Sequence, residues 1–102
     1  MAFSRAGALY TQTVTDTAGG IGAANIPAAA RYAEGFVRSA SVVETRDGTT
    51  PTATLGKEWN LRDIIICRSR DEINSISLIR LAGTSATINW EFFTEPPGLS
   101  IG

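Results

Sequence analysis

Residues 30–46 read ARYAEGFVRSASVVETR, and the fold turns on how this stretch is taken. Extended to 26–40 as a helix, it places Ala29, Tyr32, Ala33, Phe36, Val37 and Ala40 on one face and Arg31, Glu34 and Arg38 on the other. Asn25 stands where a cap would, and Pro27 falls in the first turn, where proline is tolerated. Gly35 interrupts the middle. Taken as β structure, the same residues give a strand from Ala30 to Arg38, a tight turn at Ser39-Ala40 and a second strand from Ser41 to Arg46. Periodicity alone slightly favours the helix over residues 27–39, and both readings stand at this point.

The sequence on the C-terminal side is easier to read. Asp47-Gly48-Thr49-Thr50-Pro51 is a turn, since Asp-Gly suits positive φ and Pro51 cannot donate to a ladder. Trp59 and Leu61 alternate with Glu58, Asn60 and Arg62, as in a short strand. Asp63 to Arg68 (DIIICR) is continuous and β-branched, which predicts a buried strand. Ser69-Arg70-Asp71-Glu72 has capping-box spacing and predicts one helical turn before the next strand, Ile76 to Leu81. Ala86, Ile88, Trp90 and Phe92 then alternate with Thr87, Asn89 and Glu91, which predicts a strand with one apolar and one polar face. Glu95-Pro96-Pro97-Gly98 ends it, and residues 96–102 read as a C-terminal tail.

The N-terminal side has a different composition. Met1 to Ala30 carries two formal charges, Arg5 and Asp16, among many Ala, Gly and Thr. Thr11, Thr13, Thr15 and Thr17 recur at period two with a thin apolar face between them. Ala18-Gly19-Gly20-Ile21-Gly22 reads as a linker. Residues 1–25 are therefore expected to form an extended arm. It is either a disordered tail or a segment ordered against a neighbouring subunit, with Phe3, Leu9, Tyr10 and Ile21 as anchors. Residues 26–95 would be the folded domain. About seven short strands with Gly, Pro and Asp turns point to an all-β fold, a small antiparallel β-sandwich or jelly-roll-like domain.

Composition narrows the chemistry. The chain has 102 residues, no His, one Cys and a net charge of −1. That length fits one domain with a small core. Without His and with Cys67 alone, neither a Cys/His zinc site nor a His-based triad can be assembled. The charge gives no electrostatic reason to bind nucleic acid. Ile64 to Cys67 is the longest aliphatic run, far below the about 20 residues of a membrane helix, and no secretory signal is predicted after Met1. The sequence thus suggests neither a nucleic acid nor a membrane partner.

No catalytic pairing emerges. Lys57 is the only lysine, and no nucleophile motif surrounds any Ser. Asp71-Glu72 suits a cap better than a pair of carboxylates across a cleft. Asp47-Gly48-Thr49 lacks the later ligands of a calcium loop. Cys67, at the end of three Ile, reads as a packed thiol. Arg68, Arg70 and Arg80 are offset in sequence by Asp63, Asp71 and Glu72, which points to a mixed-sign surface or to intersubunit salt bridges. The expectation is a protein that is not an enzyme, with no cofactor and no metal. The aromatics exceed what one small core holds: Trp90 and Phe92 face inward, while Phe93 falls on the other face and Trp59 near a loop. Phe3, Leu9, Tyr10, Ile21, Trp59 and Phe93 are therefore the candidate subunit-interface residues. The alternative is a second small core beneath the arm.

From Ala30 to Gly56 the sequence reads ARYAEGFVRSASVVETRDGTTPTATLG. It resembles a family of small structural proteins of tailed phages. In that family a strand like ARYAEGFVR pairs with a second strand that runs into a DGT-x-PT-x-T-x-G loop, here Asp47 to Gly56. The apolar strand Ile64 to Cys67, the ISLIRL strand and the closing TINWEFF are similar too, so the resemblance spans roughly residues 26–94. The longer Thr/Ala/Gly segment before Ile26 departs from it. The resemblance implies strands rather than helix at 30–38. It implies a virion component of decoration or cement type and carries no catalytic residue. The implied partners are the major capsid protein or other virion proteins, and the implied assembly is a homo-oligomer, a trimer favoured. A tail, neck or fibre-associated module, which could bind carbohydrate through Trp59 or loop residues, is the alternative role.

Overall fold

The computed structural model describes residues 5–81 and 83–95. Its strands are β1 (Tyr10–Val14), β2 (Tyr32–Val37), β3 (Val42–Thr45), β4 (Lys57–Trp59), β5 (Ile64–Cys67), β6 (Ser77–Arg80) and β7 (Ala86–Phe93). A short 3-10 turn covers Ala23–Asn25, and one helix, α1 (Arg70–Ser75), links β5 to β6. The strands form two antiparallel sheets, one ordered β1-β7-β2-β5 and the other β4-β3-β6. The fold is an all-β sandwich.

β7 is the hub of the larger sheet. Ala86, Ile88, Trp90 and Phe92 are all fully buried between the sheets, as their alternation requires. The contested stretch is strand. In β2, Gly35 lies directly opposite Trp90 in the ladder. A Cβ at Gly35 would stand 2.7 Å from Cζ3 of that indole. The glycine that weakened the helix is thus the residue that admits the largest core side chain.

Three local expectations change. The tight turn at Ser39-Ala40 does not fold β2 back on β3. It carries the chain from one sheet to the other, and β3 pairs with β4 and β6 instead. β5 is not buried on both faces. It is the edge of the larger sheet, with Ile65 and Cys67 fully buried and Ile64 49% exposed. An antiparallel edge strand has one solvated face, so a run of β-branched residues did not mean burial. Ser69 caps α1 by accepting from Glu72 N at 3.2 Å, but the Glu72 carboxylate closes on Arg68 N at 2.6 Å rather than on the cap's own N–H.

The boundary at residue 25 also moves. β1 pairs with β7 from Tyr10↔Trp90 to Val14↔Ala86. Val14 and Ile21 are core residues, and Gly19 N and O bond Leu78 O and N at 3.0 and 2.9 Å. The extended N-terminal segment from Tyr10 onward is therefore part of the sandwich. Thin apolar patterning misled because only one side chain in two of an edge strand needs to be apolar, and Gln12 takes one such place. Of the tail at 96–102, nothing lies within the described residues.

Candidate functional site

The two sheets are joined at their β1/β6 side, where Arg80 N donates to Thr15 O at 2.9 Å. At the opposite side both sheets end in short strands, β4 and β5, whose outer edges have no pairing partner among the described residues. The cleft between them has a volume of about 330 Å³ and is lined by Glu44, Arg46, Lys57, Trp59, Ile64, Ile66 and Arg68.

Strand parity assembles its floor. Val42 and Glu44 alternate onto the same face of β3, opposite Trp59 and Lys57 of β4. Glu44 is only 5% exposed, so its charge must be met by partners. Trp59 Nε1 donates to Glu44 Oε1 at 2.6 Å, and Arg46 Nε donates to Oε2. Arg46 also reaches Glu72 Oε1 at 2.8 Å. Burial, the largest influence, pulls the Arg46 pKa down, but the hydrogen bond to Glu44 and the negative charges around it together outweigh burial, and the net shift is upward. Each carboxylate here is held by donors of the protein itself, which is the arrangement of a structural ion-pair network.

On the rim, Lys57 Nζ lies 4.6 Å from the centre of the Trp59 ring, a cation–π contact. Neither Lys57 nor Arg68 forms an ion pair among the described residues. Around the corner, Phe36 stands opposite Ile64 on the outer face of the larger sheet. They are 37% and 49% exposed, and Leu61, in the turn leading into β5, is 46% exposed.

A second hollow, of about 420 Å³, lies under the Asp47–Gly56 loop and is lined in part by Thr45, Asp47, Thr49 and Leu55. The loop satisfies itself. Thr49 N donates to Asp47 Oδ1 at 3.0 Å, a bond that lowers the Asp47 pKa. Gly48 takes φ +89° as the Asp-Gly signal implied, and Thr52 and Leu55 exchange backbone bonds at 3.1 and 3.3 Å.

The six candidate interface residues scatter. Leu9 is exposed, Tyr10 and Trp59 are half-buried against the core, and Ile21 and Phe93 are buried within this chain. Phe3 lies outside the described residues. Ile21 and Phe93 are thus withdrawn as interface residues. Phe93 packs against Tyr32, with ring centres 6.0 Å apart, and carries the Arg5 guanidinium 5.7 Å from its ring centre. This is the small second cluster that the surplus aromatics allowed.

Sequence reasoning passed over Phe36, Leu61 and Ile64. On a strand, Phe36 shares its face with Tyr32 and Glu34 rather than with Ala33 and Val37, and that parity was the available signal. Cys67 is fully buried, and burial pushes its thiol pKa up to about 12, with Arg46 opposing. It is therefore held as a neutral thiol. Among the described residues, no three of Asp, Glu, Cys or His converge as a metal group, and no helix is long and apolar enough to cross a membrane. Comparison with protein-family models, curated proteins and solved structures gave no match to this chain.

Proposed function

We propose that this chain is a virion structural protein, a capsid decoration or cement subunit that bridges neighbouring major capsid subunits and stabilises the shell. The observation that carries this reading is the apolar strip formed by Phe36 and Ile64 beside a free strand edge. Single exposed apolar residues need no explanation. A cross-strand aromatic–aliphatic pair left in water next to unpaired backbone is a surface that another subunit can cover. The likeness of the Asp47–Gly56 loop and its flanking strands to tailed-phage structural proteins supplies the virion setting. Many weak contacts of this kind, repeated by the shell's symmetry, would hold it against the packaged genome. The protein acts as a homo-oligomer in this reading, a trimer favoured.

A tail, neck or fibre module that binds carbohydrate through Trp59 draws less support. Lys57 covers one face of that indole, and Glu44 holds its N–H. The deciding experiment is the copy number of this chain in purified particles, with a density map of the particle. Hundreds of copies over the shell support decoration. A dozen or fewer at one vertex support the neck or tail. Absence from the particles overturns both.

A further inference from the structure

We propose that the open side of the sandwich takes an extended acidic segment of a partner protein, added as a strand to the free edge of β5. The proposal rests on the docking role argued above and names the surface and the partner's chemistry.

Three observations carry it. First, among the described residues β5 has a pairing partner on one side only, and the cleft beside it separates it from the unpaired edge of β4. Unpaired edges accept strands through main-chain hydrogen bonds. Second, the side chains at this edge are apolar and in water: Ile64 is 49% exposed and Ile66 half-buried. The other edge of the same sheet, β1, turns Thr11 and Thr13 outward, so it offers little apolar area to an incoming segment. Third, the charges are unbalanced. Arg46 bridges Glu44 and Glu72, one cation between two carboxylates, while Lys57 and Arg68 on the cleft form no ion pair among the described residues and tip the group to a net positive charge. An added strand would lay its outward residues beside Ile64, Ile66 and, past the end of β5, Arg68, and its inward residues toward Lys57 and Trp59. The complementary segment alternates apolar with acidic residues. A basic segment would meet a net positive cleft in which Lys57 and Arg68 form no ion pair among the described residues, and like charges brought together cost affinity.

Trp59 reports on the cleft, because Trp90 is fully buried and gives a constant background. The probe is a blocked peptide of about eight residues, near the upper length of common strands, alternating Val and Glu. The controls are the Val/Lys counterpart and a Val/Glu peptide with a central Pro. The expected result is a saturable change in Trp59 emission with the Val/Glu peptide alone. Its affinity should fall about tenfold or more in the double variant Lys57→Glu, Arg68→Glu, with the circular dichroism spectrum unchanged. No response to the Val/Glu peptide, or equal affinity for either control, overturns the proposal. So does a concentration-dependent dimer that Ile64→Lys abolishes while no peptide binds, since a second copy would then own the edge. Peptide binding by a chain absent from particles would sink the virion reading alone, and particle binding without peptide binding would sink only this one.

Discussion

The indole N–H of Trp90 donates to Oε1 of Gln12 at 2.9 Å, across 78 residues of sequence. Gln12 Nε2 in turn donates to Gly20 O at 3.0 Å. One buried amide thus ties the first strand, the linker after it and the central strand of the sheet. Both groups lie out of water, so neither can trade its partner for solvent.

Replacing Gln12 with Leu leaves the Trp90 N–H without its partner in the interior and removes the bond to Gly20 O. The expected loss is about 1–3 kcal/mol of unfolding free energy, the usual penalty for a stranded buried polar group. Urea unfolding followed by far-ultraviolet circular dichroism measures it. Removing residues 1–25 altogether takes away a paired strand and the core residues Val14 and Ile21, and cooperative unfolding should vanish.

Gly35→Ala inserts a methyl 2.7–2.8 Å from three carbons of the Trp90 ring. The overpacking should cost about 1–3 kcal/mol. In a double-mutant cycle with Trp90→Phe the two losses should be less than additive, because the smaller ring removes the collision. Strict additivity would mean that the cost comes from elsewhere.

Glu44→Ala removes the acceptor shared by Trp59 and Arg46. Arg46 keeps Glu72 and partial access to water, so the expected loss is about 2 kcal/mol, below that of a fully buried pair. Trp59 emission should shift to the red as the indole loosens. Glu44→Gln keeps an acceptor for the indole and should retain most of the native spectrum.

The Cys67 thiol should react with a disulfide reagent only as fast as the protein opens, because the buried group stays protonated. The sign in alkali follows from linkage. Its folded pKa is raised from 9.0 to about 12. Ionisation therefore favours the unfolded chain first, and stability present below pH 9 is lost as pH rises toward 12. Cys67→Ala should flatten that part of the pH–stability curve while costing some core packing at neutral pH.

Phe36→Ser and Ile64→Ser remove half-covered members of a cross-strand pair and should each cost about 1 kcal/mol while leaving the fold intact. If the outer strip docks this chain on a particle, each should nonetheless weaken co-sedimentation with stripped particles. Unchanged co-sedimentation in the double variant would remove the strip from the proposed role.

Much of this was legible locally. The alternation of Ala86 to Phe93 named both the hub strand and its buried face. Ser69 to Glu72 named the helix start, and Asp47-Gly48 named a turn with positive φ. Each signal lies within a few residues and rests on strand pleat, capping or backbone sterics, which do not depend on distant chain. The candidate surface was less legible. Phe36 and Ile64 were assigned to apolar faces, and their exposure follows from which side of one sheet they share.

The sequence by itself determined an all-β chain of short strands, the inward face of its last strand, and a set of residue types without His and with a single Cys. Tertiary structure decided the rest. Gly35 interrupts a helix or admits an indole according to whether Trp90 lies across from it. Three consecutive Ile are core or edge according to whether a strand pairs on their far side. A Thr-rich segment is an arm or a strand according to whether Gln12 finds Trp90. In each case the deciding partner is distant in sequence. The energy that orders the segment comes from burying it against that partner, which no local pattern records.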